Sequence, residues 1–263
     1  MHAALNVSKT GLAAQDTQLT TIANNLANAS TVGFKRDRAM FEDLLYQIQR
    51  QPGAQSSQET SLPSGLQLGT GVRIVGTQKQ FTEGSLQVTG QGLDLAINGR
   101  GFFQILMPDG TIGYTRNGQF QVDGEGQIVN ANGLLLEPNI TVPQEASSIS
   151  ISTDGIVSAN IFGEPDPQNL GNIQTVDFVN PAGLQSIGGN LFLETVASGD
   201  PIQGTPSENG LGLIEQGVLE NSNVDIVQEM VTMITTQRAY EMNSKVILPK
   251  WYHPSPLHLL FSG

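Results

Sequence analysis

The sequence predicts a mixed α and β protein in which helical ends flank a mostly antiparallel, β-rich body. Three observations carry this: a leucine heptad near the amino end, a second helical period around residue 230, and a series of turn dipeptides between them.

Leu5, Leu12, Leu19 and Leu26 recur every seven residues, with Ile22 and Ala23 filling the same face, which predicts an amphipathic helix over 3–28. Lys9, Asp16, Gln18, Thr21 and Asn25 take the opposite face. Ser8 and Gln15 at intermediate positions make the seam weaker than an ideal coiled coil, yet sufficient for packing against partner helices. Asn28, Ser30, Thr31 and Gly33 supply capping and turn chemistry, and Gly33 is read as the end of the helix.

The next segment, ASTVGFKRDRAMFEDLLYQ at 29–47, sets Lys35, Arg36 and Arg38 beside Asp37, Glu42 and Asp43. Mixed charge at this spacing predicts local or intersubunit pairing rather than phosphate capture. Phe34, Met40, Phe41, Leu44, Leu45 and Tyr46 are its apolar anchors. Residues 51–71, with two prolines and four glycines, read as a loop or extended arm.

Short alternating runs then precede Asp109-Gly110, Asn117-Gly118, Gly124 with Gly126, Asn132-Gly133 and Asp154-Gly155. These are hairpin signals, and they place an antiparallel body at about 85–205. A polar connection at 196–212 leads to Ser222 and Asp225, which have the form of a capping box. Val224, Val227, Val231 and Ile234 follow on one face, broadened by Ile226, Met230 and Met233, predicting a helix from about 223 to 246. The resulting segmentation is 1–45 helical, 46–84 arm and connector, 85–205 body, 206–246 connector and helix, and 247–263 tail. Its apolar helix faces stay unsatisfied unless the ends meet each other or neighbouring subunits.

The formal charge is −12, and after Arg116 the next Lys or Arg is Arg238, with fifteen carboxylates between them. That balance argues against nucleic acid as a partner. With no cysteine, disulfides and thiolate chemistry are excluded. The first residues lack a secretory-signal pattern, and no run approaches the roughly eighteen apolar residues of a membrane span. The chemistry therefore reads as soluble, with export by the general secretory route unsupported.

The only histidines are His2, His253 and His258, so neither a zinc site nor a Ser-His-Asp triad is supported. No phosphate-binding glycine motif is present, and Asp123-Gly124-Glu125-Gly126 reads as a tight turn, since Ile128 stands where a calcium loop needs glycine. A carboxylate pair for glycoside hydrolysis depends on spatial separation alone. No catalytic, cofactor or metal residues are assigned.

Residues 19–47, LTTIANNLANASTVGFKRDRAMFEDLLYQ, resemble the amino-terminal signature of bacterial flagellar rod and hook proteins through Asn24, Asn25, Leu26, Ala27, Asn28, Thr31, Gly33, Phe34 and Lys35. Residues 92–122 resemble the segment leading into that family's β domain, including Gly99, Gly101, Phe102, Tyr114, Arg116 and Gly118. Residues 210–245 resemble its carboxyl helical region, including Gly217, Glu220, Ser222, Asn223, Arg238 and Tyr240. Residues 42–72 resemble the insert of its distal-rod members, which hook proteins lack.

The resemblance implies terminal helices that form an elongated helical assembly domain, a stiffening arm at 46–70, and a structural role in a rigid shaft carrying torque from motor to hook. It implies a place in the flagellar basal body, in the distal rod spanning the periplasm. Implied partners are further copies of the chain in a helical rod, proximal rod proteins, hook or hook-junction subunits, peptidoglycan-ring and outer-membrane-ring proteins, and the flagellar type III export apparatus. The alternatives are a proximal rod or hook subunit and, from another class, a secreted β-rich polysaccharide enzyme. Residues 247–263 depart from the family, because Pro249, Pro254 and Pro256 interrupt the expected helix.

Overall fold

The computed structural model describes residues 2–51, 64–163 and 166–247. The proline-containing tail, from residue 248 onward, and the centre of the arm at 52–63 lie outside the described residues. Helices near both ends flank a mostly antiparallel β body, as predicted. The chain divides into two compact units: 1–26 with 37–78 and 226–263, and 27–36 with 79–225.

The first unit contains helix α1 (His2–Ala27), strands β1 (Asp37–Asp43), β2 (Tyr46–Arg50), β3 (Leu66–Gly69) and β4 (Val72–Lys79), and helix α2 (Ile226–Ile247). Strand β1 pairs with β4, and β2 with β3. Beyond the helix predicted over 3–28 the chain turns to strand at Asp37, within the segment read as helical over 1–45; there half-buried Ala39 and Phe41 alternate with exposed Arg38, Met40 and Glu42. The arm is bracketed by strand pairing, with Tyr46 opposite Gly69 and Gln47 opposite Leu68.

Helix α1 ends at Ala27, so Gly33 is not its terminus. Gly33 has φ +69°, and a Cβ there would lie 2.6 Å from the Asn117 nitrogen, so glycine serves close approach to the body. Helix α2 starts at Ile226, three residues later than expected, leaving Val224 outside it. The reason is local: the Asn223 N–H donates to the Phe34 carbonyl (3.4 Å) and its side chain is tied to two other segments, which holds 221–225 out of helical geometry.

The second unit holds β5 (Leu86–Val88), β6 (Leu95–Asn98), β7 (Phe102–Leu106), β8 (Ile112–Thr115), β9 (Phe120–Val122), β10 (Ile128–Asn130), β11 (Leu135–Glu137), β12 (Ala146–Ile151), β13 (Ile156–Ile161) and β14 (Gln168–Asn172). It continues through β15 (Thr175–Asp177), β16 (Gln185–Gly188), β17 (Leu191–Leu193), β18 (Ile202–Gly204), β19 (Leu213–Gln216) and β20 (Val218–Glu220). A nine-stranded sheet runs β16-β17-β8-β7-β11-β10-β9, with β15 joining β7 to β18. Strands β12, β13 and β14 form a second sheet, while β19 pairs with β6 and β20 with β5.

Four of the predicted turns connect paired strands: Asp109-Gly110 joins β7 to β8, Gly124 and Gly126 join β9 to β10, Asn132-Gly133 joins β10 to β11, and Asp154-Gly155 joins β12 to β13. Asn117-Gly118 does not, since β9 pairs with β10 instead of β8. There a Cβ on Gly118 would fall 1.6 Å from the Leu95 carbonyl oxygen, so the glycine permits two backbones to touch. The larger core gathers Leu95, Ile97, Phe103, Ile105, Leu136 and Ile173, and a second stacks Phe102, Tyr114, Phe178 and Phe192 with Phe81 against it. Their rings meet edge to face, for example Tyr114 and Phe178 at 4.8 Å.

Candidate assembly surface and buried signature cluster

In α1 the deeply buried positions are Ser8, Ala14, Ile22 and Asn25, while Leu5, Leu12, Leu19 and Leu26 are half-buried and Asn24 is exposed. The expected leucine seam is therefore not the innermost face. Small residues share that place with Ile22 and Asn25: Gly11 lies where a Cβ would be 3.3 Å from Asn243 of α2, and Gly71 lies against Thr10. Asn25 acts as a substitute strand, donating from Nδ2 to the Asp37 carbonyl and accepting the Asp37 N–H at Oδ1, both at 2.9 Å.

Helix α2 is inverted relative to a soluble amphipathic helix. Its buried positions are Glu229 and Thr236, whereas Val227, Met230, Val231, Ile234 and Tyr240 are exposed, Val227 at 72%. Arg238 is exposed as well. Around the arm Leu45, Tyr46, Ile48, Leu66 and Leu68 are exposed, while Phe41 and Leu44 are half-buried. The opposed pairs Tyr46–Gly69 and Gln47–Leu68 put apolar groups on both faces of the arm hairpin. Val227, Met230, Val231 and Ile234 stand at helical spacing, so their exposed groups form one aliphatic stripe.

In the second unit the signature residues turn inward. Gly33, Phe34 and Lys35 are buried, and Asn28 is half-buried. The Lys35 ammonium donates to Glu220 Oε1 at 2.5 Å and to the Thr82 carbonyl at 2.6 Å, so its partner lies 185 residues away and not among the acids next to it. Burial pushes the Lys35 ammonium below its ordinary pKa, and the Glu220 charge opposes that shift.

Arg116 completes a buried triad, with Nη1 3.5 Å from Glu220 Oε2. It also donates to the carbonyls of Ile97 (3.0 Å) and Gly99 (2.6 Å) and lies over the Phe102 ring. Burial lowers its pKa too, again against the Glu220 charge. Glu220 and Arg116 enter the sequence reading only as pattern positions. The available signal was a single carboxylate following Val218-Leu219, an apolar pair that strand geometry buries.

Among the described residues no group of three or more His, Cys, Asp or Glu is arranged to hold a metal ion. None of their helices is long and apolar enough to cross a membrane.

Comparison with known proteins bears on both regions. Residues 5–35 match the flagella basal body rod protein family, 96–159 the flagellar hook protein FlgE/F/G D1 domain, and 215–248 the flagellar basal body rod FlgEFG protein C-terminal family. The buried triad draws one residue from each match: Lys35, Arg116 and Glu220. The chain is 53% identical over 247 residues to the flagellar basal-body rod protein FlgG of Buchnera aphidicola subsp. Schizaphis graminum, covering 94% of this chain and 95% of the relative. It is 48% identical over 249 residues to the FlgG of Borreliella burgdorferi, covering 94% of each. With the FlgG of Bacillus subtilis it shares 39% over 236 residues, covering 88% of each.

Proposed function

The chain belongs to the FlgG family of flagellar basal-body rod proteins, and on that premise we propose that it polymerises into the distal rod, the periplasmic shaft that carries torque to the hook. Its role is structural rather than catalytic. The observation that carries the reading is the exposed aliphatic face of α2, Val227, Met230, Val231 and Ile234, on a helix whose inner face is small and polar. Among the described residues nothing covers that face, and another copy of the chain would. Heterologous contacts build an open helical filament, whereas a two-fold contact would close into a dimer.

In this reading the terminal segments 1–45 and 206–246 supply the rod core, 46–84 the arm and connector, and 85–205 the body. Leu5, Leu12, Leu19, Leu26 and the α2 face are the contact residues, joined by Phe41, Leu44 and Tyr46 at the arm and by Arg238 and Tyr240. Ile22, Asn25, Gly33, Phe34 and Lys35 serve assembly by shaping the chain from within. The partners are other copies, proximal rod and hook-junction subunits, the surrounding ring proteins and the type III export apparatus.

The test replaces the cell's own copy with the Val231→Glu chain. Rods are expected to stop short of the hook, while the purified variant keeps the thermal transition of its body. Normal hooks on cells making only that variant would sink the proposal.

A further inference from the structure

The chain passes between its two compact units at 26–27, 36–37, 78–79 and 225–226. On the side of the second unit, three of these crossings are bonded to one another within a few residues of where they enter. The Arg36 N–H donates to Asn223 Oδ1 at 2.8 Å, and the Gln80 N–H donates to the Arg36 carbonyl at 3.0 Å. Asn223 Nδ2 closes the ring by donating to the Gln80 carbonyl at 2.8 Å and to Thr82 Oγ1 at 2.9 Å. Just beyond, Glu220 Oε1 accepts both the Lys35 ammonium and the Gly84 N–H, at 2.5 and 2.9 Å.

Every one of these bonds joins residues of the same unit, yet they come from three segments far apart in sequence. A single backbone crossing turns freely about its φ and ψ angles, whereas three that leave one unit from hydrogen-bonded neighbours start from a fixed mutual spacing. A side-chain amide that both accepts and donates backbone bonds holds such strands in register as a neighbouring strand would.

We infer that Asn223 and Glu220 are positioning residues that bind three chain crossings into one torsion-bearing stem, through which load passes along the backbone between the rod-core unit and the body. The inference rests on the rod-subunit reading. Asn223 acts on the crossings directly, and Glu220 anchors the stem to the buried triad below it.

The test uses the full chain in two settings. In hydrogen exchange on purified protein, Asn223→Ala is expected to speed exchange at the Arg36 and Gln80 amides at least tenfold while 102–106 stays protected. Unchanged rates, or loss only together with 102–106, would overturn the inference. In cells lacking their own copy, Asn223→Asp, which keeps the acceptor for Arg36 and loses the donors, is the milder variant.

Cells with this variant or Glu220→Gln are expected to shed filaments several-fold faster in viscous medium, with breaks inside the rod by electron microscopy. Asn130→Ala is the control, removing the turn bonds to the Asn132 and Leu134 N–H groups far from the crossings in sequence, and is expected to shed at the wild-type rate. Wild-type shedding by the stem variants, or equal shedding by the control, would defeat the stem. Failure of the wild-type chain itself to restore rods would instead count against the rod-subunit reading.

Discussion

The two units of this chain solve opposite problems. Residues 1–26, 37–78 and 226–263 contain seven Lys or Arg and seven Asp or Glu, whereas 27–36 and 79–225 contain five and seventeen, so the whole formal charge of −12 falls on the body. The body builds two closed cores and exposes other apolar residues, such as Val88, Phe162, Val179 and Val196, at positions scattered along the chain, while the other unit leaves Val227, Met230, Val231 and Ile234 in solvent along one helix. One closes two cores within itself and carries a charge that repels its copies. The other is electrically neutral overall and presents an exposed aliphatic stripe on one helix, so charge opposes association through it less.

The largest test of this contrast is Glu220→Leu. It leaves Lys35 and Arg116 buried without a counter-charge, and loss of a buried partner costs about 3–5 kcal/mol, read as a lower urea midpoint for the body. Next comes a matched pair of truncations. Ile105→Ala, at a fully buried site, should cost about 2–5 kcal/mol, whereas Ile234→Ala should change monomer stability by about 0.5 kcal/mol or less. Equal costs in urea unfolding would erase the distinction between the units.

A smaller effect concerns Tyr114, whose hydroxyl donates to Glu194 Oε2 and whose pKa is raised by burial and by that carboxylate. The raised value means the folded state holds this proton after the unfolded chain has released it. Stability from this group is therefore complete below the ordinary tyrosine pKa of about 10 and is lost as pH rises past it. Between about pH 9 and pH 11 the wild-type chain should lose more stability than Tyr114→Phe, as followed by thermal melts. The smallest effect is expected at the exposed Arg73–Glu42 pair, where Arg73→Ala should cost under about 1 kcal/mol and less still at high salt.

The helices and most hairpins were legible because their signals are local: a heptad in α1, and turn dipeptides between alternating runs. Strand β1 was not, because apolar Met40 stands outward between Arg38 and Glu42 and the inward pair Ala39 and Phe41 is too short a pattern to stand out. Periodicity found the apolar stripe of α2 but carries no information on whether the chain itself covers it. For Lys35, neighbouring acids suggested a nearby partner, whereas burial selects the one carboxylate that reaches the same interior through β20. The resemblance identified Asn223 and Glu220 as pattern positions, and only the fold reveals that they gather distant backbones.

The ion triad also has a consequence in time. A ribosome adds residues from the amino end, so Lys35 and Arg116 exist long before Glu220 is made. Until residue 220 emerges, no nascent chain holds the acid that neutralises them, and burying both cations is prohibitively unfavourable. Completion of the body thus waits for β20, the last of its described strands, and a product stopped before it is left with two charges that water must keep.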